Sequence, residues 1–412
     1  MRPRVPVILL TIAAAAGLFF ASYSSYDFMQ HLDRQVHGIH CSFIPGLDST
    51  DASGSSGCHV TMMSPYSSVL RQTVWGGIPI SLGAMGVFGY LLFRGLDVIF
   101  NRREADKGLA GYLALAWGLP FATSLVMGYL SLVELDAACK LCIGIYTAST
   151  VGFGSALAFW RSAGPDPDAE EQETETGEGF GVSQAIPSFL QGVAFVAIPV
   201  VLYVNAVPDY STYEGACGTL PKPEDPYGVM IALDQNPGGK EAIEVLDPLC
   251  PSCRAFEHRL DASGLGEKMN RKAVLFPLDS SCNWMVGSTL HAGACTISEA
   301  VLCADARAGE VIDWAFENQE AIRAASEADP TAATKMVTDR FPDLKSCVGS
   351  TKVRSRLNKS LRWAVSNQLT VLTPQVYVEG TKLCDEDTDL GMDYALSRLL
   401  DGTPPAAQKG GL

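Results

Sequence analysis

Ala138-Cys139-Lys140-Leu141-Cys142-Ile143-Gly144-Ile145-Tyr146 puts two thiols at the head of an apolar run that continues to Trp160. A helix of about 20 apolar residues crosses a bilayer core, so this stretch sets a dithiol where a helix enters the membrane. A helix N-terminus stabilises a thiolate, and a C-x-x-C placed there exchanges disulfides at neutral pH. A structural disulfide and half of a zinc site are the other readings of a lone C-x-x-C.

Further runs of comparable length and low charge extend from Val5 to Tyr23, Val74 to Phe93, Leu109 to Val133 and Ile186 to Val207. Pro79, Pro120 and Pro199 fall inside these runs, which neighbouring helices tolerate in a membrane. Arg2 and Arg4 before the first run would also suit a cleaved signal peptide, but no small-x-small cleavage site follows. Basic residues flank the spans at Arg2, Arg4, Arg94, Arg102, Arg103, Lys107 and Arg161, which marks those ends as cytoplasmic. The loop from Tyr26 to Thr73, the turn at Cys139 and everything after Val207 then face the opposite, oxidising side. All twelve cysteines fall there. Gly164 to Gly179 holds Asp166, Asp168, Glu170, Glu171, Glu173, Glu175 and Glu178 with no basic residue, and reads as a solvated linker.

Cys41 and Cys58 lie on the first outer loop, around the Gly/Ser-rich stretch from Asp51 to Gly57, which is able to swing toward the helix end. Two mobile and two fixed thiols make a relay. The adjacent His40 and His59 permit zinc, although structural zinc sites use tighter spacing. Ser64 stands six residues after Cys58, Gly77-Ile78-Pro79 opens a span, and Tyr146 stands four residues after Cys142. In these spacings together the first 160 or so residues resemble the vitamin K epoxide reductase family. The resemblance implies that Cys142 reacts with a quinone and that Cys139 is its exchange partner. It also implies that Cys41 and Cys58 shuttle electrons from outside proteins, and that Ser64 and Tyr146 hydrogen-bond the quinone carbonyls. The loop between Cys41 and Cys58 is longer than is usual in that family.

Past Val207 the chain reads as a soluble α/β unit. Lys240 to Leu246 alternates as a strand, and Asp247-Pro248-Leu249-Cys250-Pro251-Ser252-Cys253 leads into a helix bearing Phe256 and Leu260. Strand, C-x-x-C, helix is the thioredoxin-like arrangement, with Cys250 at a helix N-terminus. Two positions resemble that family further: Glu244 as the buried acid beneath the pair, and Thr373-Pro374 as the cis-proline loop facing the active sulfur. Helical stretches at Ile297 to Ala308, Glu310 to Ala325 and Lys352 to Val365 resemble the inserted subdomain of periplasmic disulfide oxidases. Cys217, Cys282, Cys295, Cys303, Cys347 and Cys384 form an even set suited to structural disulfides, with Cys282 and Cys295 the first choice of pair.

The expected fold class is thus an all-α four-helix membrane bundle plus one further transmembrane helix, followed by a thioredoxin-like domain with a helical insertion. The expected boundaries are a membrane redox domain (1–163), an acidic cytoplasmic linker (164–183), a fifth transmembrane helix (184–208) and the thioredoxin-like domain (209–412). A formal charge of −15 without clustered Lys and Arg argues against nucleic acid as a partner. No cytoplasmic segment carries a cysteine, so the electron acceptor left for Cys142 is dissolved in the bilayer. The expectation is a quinone, ubiquinone or menaquinone, with reduced exported proteins as thiol substrates and no metal. The setting is a bacterial inner membrane with the soluble domain on the periplasmic side. A membrane-anchored reductase or isomerase fed by another membrane protein is the alternative, and a non-catalytic anchor carrying a binding domain is a third.

Overall fold

A computed structural model describes residues 4–34, 57–135, 137–164, 180–210 and 213–402. Within these, the chain forms two compact units that divide at Pro208 and Asp209.

The first unit is helical. Among the described residues, five helices are long and apolar enough to cross a membrane. They are α1 (Arg4–Gln30), α3 (Ile80–Phe100), α4 (Lys107–Tyr129), α5 (Lys140–Ser162) and α6 (Val182–Ala206). The chain is therefore a multi-pass membrane protein. Helix α1 packs between α3 and α5, α4 lies on α5, and α6 rests on α3. Leu10, Phe88, Leu91, Leu113, Trp117 and Phe159 fill the space between them. Membrane helices gain little from burying apolar surface against one another, so close backbone approach and interhelical hydrogen bonds matter more. Both hold α6 in place. A Cβ on Gly86 would stand 2.6 Å from the Phe195 carbonyl oxygen, and the Tyr203 hydroxyl donates to the Gly77 carbonyl at 2.7 Å.

The second span starts later than the sequence suggests. The stretch from Val74 does not open a helix: Ile78–Pro79 is strand β2, paired antiparallel with β1 (Ser68–Val69), and α3 begins only at Ile80. Pro79 sits where its missing N–H costs least, at the N-cap of α3 rather than inside it. Helix α1 runs on to Gln30, beyond the expected end at Tyr23, so Tyr26 is helical and not part of the outer loop. A short helix, α2 (Gly57–Met63), carries Cys58 over the end of the bundle. Helix α6 begins at Val182, inside the stretch assigned to the linker, and the Asp106 carboxylate accepts from the Phe180 backbone N–H. Cys41, His40, the loop residues 51–56, the acidic residues 165–179 and the side chain of His59 lie outside the described residues.

The second unit is a mixed sheet flanked by helices. Its strands are β3 (Ile231–Ala232), β4 (Lys240–Leu246), β5 (Met269–Leu275), β6 (Gln375–Val378) and β7 (Thr381–Lys382), in the order β3-β5-β4-β6-β7. Strands β4 and β5 run parallel, joined through helix α7 (Pro251–Ser263), while the other neighbours are antiparallel. Val245, Val274, Leu246 and Leu275 are fully buried, as central strands covered on both faces require. A helical block follows β5: α8 (Ala294–Ala304), α9 (Ala308–Glu317), α10 (Gln319–Ala328), α11 (Ala332–Arg340) and α12 (Thr351–Ser366), before α13 (Met392–Leu400) closes the unit. The expected helix from Glu310 to Ala325 is two helices broken at Asn318, whose backbone leaves helical geometry. Disulfides join Cys217 to Cys384, Cys282 to Cys295 and Cys303 to Cys347.

Candidate functional site

Each unit holds one pair of free cysteines, and among the described residues these four are the only free ones.

In the membrane unit Cys139 is the N-cap of α5, and its sulfur accepts the Cys142 backbone N–H at 3.3 Å. The first turn of any helix leaves N–H groups without partners inside the helix, and here a sulfur takes one of them. The segment before it is clamped from the helical turn Leu130–Glu134 that follows α4: the Ser131 hydroxyl donates to the Ala137 carbonyl at 2.5 Å, and the Ala137 N–H donates to the Ser131 carbonyl at 2.9 Å. Helix α2 approaches from above. Gly57 lies so close to Ala138 that a Cβ there would meet its carbonyl oxygen at 2.3 Å, which brings Cys58 over the pair. Cys58 is buried and held in a disulfide.

A cavity of about 290 Å³ opens beneath these groups. Cys58, Cys139, Cys142, Ser64 and Tyr146 line it among apolar side chains from α1, α3, α4 and α5. A mostly apolar space with a few converging polar groups suits a largely apolar small molecule that carries a few polar atoms. The Tyr146 hydroxyl neighbours the Cys142 sulfur. Ser64 also faces the cavity, but its hydroxyl donates to the Thr61 carbonyl at 2.7 Å, so only its lone pairs are open. Thr61 and Asp27 did not stand out in the sequence. Thr61 reaches both Cys139 and Cys142, and Asp27 is a buried acid on the cavity wall. Only the helical turn linking Thr61 to Cys58 was there to signal its place.

In the second unit Cys250 caps α7 with Pro251 at the first helical position. Its thiol donates to the Thr373 carbonyl at 3.5 Å, and the Thr373-Pro374 peptide bond is cis. Hydrogen bonding from Cys253, helped by Thr373, brings Cys250 down to about 6 against the opposing effect of burial. Burial and the neighbouring Cys250 push Cys253 upward. One thiol is therefore ionised near neutral pH and its partner is held protonated, which is the division of labour that disulfide exchange requires.

Beneath the pair, Glu244 is 1% exposed and its proton affinity is raised by burial and by the adjacent Glu257. Arg271 gathers the acids: it meets Glu257 at 2.6 Å, Asp234 at 2.5 Å and Glu244 at 3.4 Å. The other Glu244 oxygen has no hydrogen-bond partner. Asp247, at the end of β4, accepts from the Leu249 and Leu278 N–H groups and from the buried ring of His291. Neither Arg271 nor His291 was marked in the sequence, because each is brought in by pairing with distant chain.

A dithiol at the mouth of an apolar cavity, beneath a third cysteine already in a disulfide, defines a membrane thiol oxidoreductase. Residues 8–157 match the Vitamin K epoxide reductase family, a little over a third of the chain, and the matched stretch contains α2, α3, α4 and both membrane cysteine pairs. This region is a membrane domain of that family's type, and the family works on cysteines and quinone-like substrates. No curated protein matches the chain.

Proposed function

We propose that the protein is a quinone-dependent thiol oxidoreductase that drives disulfide formation in exported proteins. The observation that carries this reading is the free Cys139/Cys142 pair opening onto one cavity with the disulfide-bonded Cys58 and with Tyr146. In this reading Cys41 is the partner of Cys58. The soluble unit is thioredoxin-like, supported by the β4–α7–β5 crossover, the C-x-x-C at the α7 N-terminus and the Thr373 carbonyl beside Cys250.

The steps balance as two-electron exchanges. A substrate thiolate attacks the Cys250–Cys253 disulfide, its second thiol resolves the mixed disulfide, and the substrate leaves oxidised. Cys250 and Cys253, now reduced, pass the electron pair to the Cys41–Cys58 disulfide, which passes it to Cys139–Cys142. Cys142 delivers it to the quinone, which leaves as quinol with the two protons the thiols gave up. Glu244 takes the proton from Cys253 when that thiol must attack. Tyr146 donates to one quinone carbonyl, and Ser64 supports the other once its hydroxyl turns from Thr61. The cysteines face the periplasmic side of a bacterial inner membrane, and ubiquinone or menaquinone is the acceptor.

The test is reduction of a quinone by a reduced peptide with the purified protein. Cys142→Ala abolishes quinone reduction while Cys250 stays reactive to alkylation. Parental quinone reduction by that variant sinks the reading.

A further inference from the structure

The dipeptide between Cys250 and Cys253 is Pro251-Ser252 and carries no charge. A carboxylate that does act on Cys250, that of Asp247, is fully buried three residues before it, and the Asp247 backbone carbonyl accepts the Cys250 N–H at 3.0 Å. A negative charge so placed works against a second one on the sulfur, and Asp247 does raise Cys250. The Asp247 carboxylate accepts from three donors, the N–H groups of Leu249 and Leu278 and the His291 ring at 2.7 Å. An ionised carboxylate only accepts, so Nδ1 of His291 carries the proton of that bond.

His291 comes from outside the C-x-x-C. It lies on the loop between β5 and α8, where its N–H binds the Leu278 carbonyl and the Cys282–Cys295 disulfide spans the same loop. The charged groups around its ring are Asp247 at the end of β4, Cys250 at the head of α7 and Arg323 on α10. Asp279 sits on its own loop and binds the Gly293 N–H. Burial works against a charge on the ring and Arg323 joins it, but the Asp247 hydrogen bond and charge and the Cys250 charge outweigh both, so His291 is raised.

We propose that His291 is a positioning residue for thiol exchange: as an imidazolium it neutralises Asp247 and so keeps that carboxylate from opposing a thiolate at Cys250. The loop after β5 thereby supplies the cation that the C-x-x-C dipeptide lacks. The inference rests on Cys250 being the exchanging thiol, and the test separates the two claims.

Full-length reduced protein in detergent is pulsed with iodoacetamide across a pH series, quenched, and read at the Cys250 peptide by mass spectrometry. The parent gives a midpoint near pH 6. His291→Gln keeps the size of the side chain and a hydrogen bond but not the charge, and it moves the midpoint up by about one unit, a thiolate fraction about fivefold smaller at pH 6. In Asp247→Asn the same His291 change has no further effect. Asp247 also holds two backbone N–H groups, so Asp247→Asn can fail to fold, which loss of the Cys282–Cys295 and Cys303–Cys347 linkages in the peptide map reveals. His291→Lys then decides: a midpoint returned toward the parent supports the inference, and one that stays with His291→Gln overturns it. A His291→Gln midpoint within about 0.3 unit of the parent also overturns it and leaves Cys250 as the exchanging thiol. A parental midpoint near the ordinary thiol value of about 8.5 overturns the assignment of Cys250 itself, and the inference with it.

Discussion

Single residues decide which sulfur attacks and which waits. Cys250 is depressed to about 6 by Cys253 and Thr373, so reduced protein carries a thiolate above that pH. Its folded value lies below the unfolded one. The stabilisation this gives to the reduced fold is complete above the unfolded thiol range, near 8.5, and is lost as pH falls through about 6. Urea unfolding of the reduced protein should show that rise between pH 6 and 8.5, and the Cys250→Ser variant should lack it. Glu244→Gln removes the proton acceptor beneath Cys253 and should slow exchange by about tenfold to a hundredfold at neutral pH with Cys250 alkylation unchanged, as stopped-flow thiol exchange would report. Arg271 meets three carboxylates, so Arg271→Met should cost about 3–5 kcal/mol at pH 8 and less at pH 5, where the freed acids take up protons. The sulfur pairs were legible in the sequence because C-x-x-C at a helix start is a local signal. Arg271 was not. It reaches Glu244 only because β4 and β5 pair with Glu244 opposite Ala273, which puts residue 271 two places along on the same face.

At the scale of elements, the membrane helices could be read directly, since length and apolarity alone make a span. The beginning of α3 could not, because an apolar Gly-Ile-Pro looks the same whether it opens a helix or closes a hairpin, and the Gly77 turn with the β1 pairing chose the hairpin. Helix α11 escaped notice because only Ala333 and Val337 of its residues are buried, too few for a visible 3.6-residue period. The seat of α2 depends on Gly57. Gly57→Val should push α2 off the Ala138 carbonyl, so that peptide-driven quinone reduction falls about tenfold or more while a small dithiol that reaches Cys139 and Cys142 directly still drives it. Equal loss with both donors would mean that the substitution damages the cavity itself.

For the whole molecule, apolar spans crowded before Val207 and a strand-and-helix pattern after it announced two parts, and the structure has two compact units. What holds the second unit together was less visible, because an even set of six cysteines leaves 15 pairings open. The Cys303–Cys347 bond closes a segment of 44 residues, and by chain entropy its removal should cost about 3–4 kcal/mol. Replacing both cysteines with Ser and following thermal unfolding of the oxidised protein would measure it.

The Cys217–Cys384 bond joins the two ends of the second unit across 167 residues of chain. A protease that cuts anywhere between those positions produces two fragments that migrate as a single band until reductant is added. Nicking between those two positions is therefore invisible on a non-reducing gel, and intact migration there says nothing about whether the helical block has been clipped.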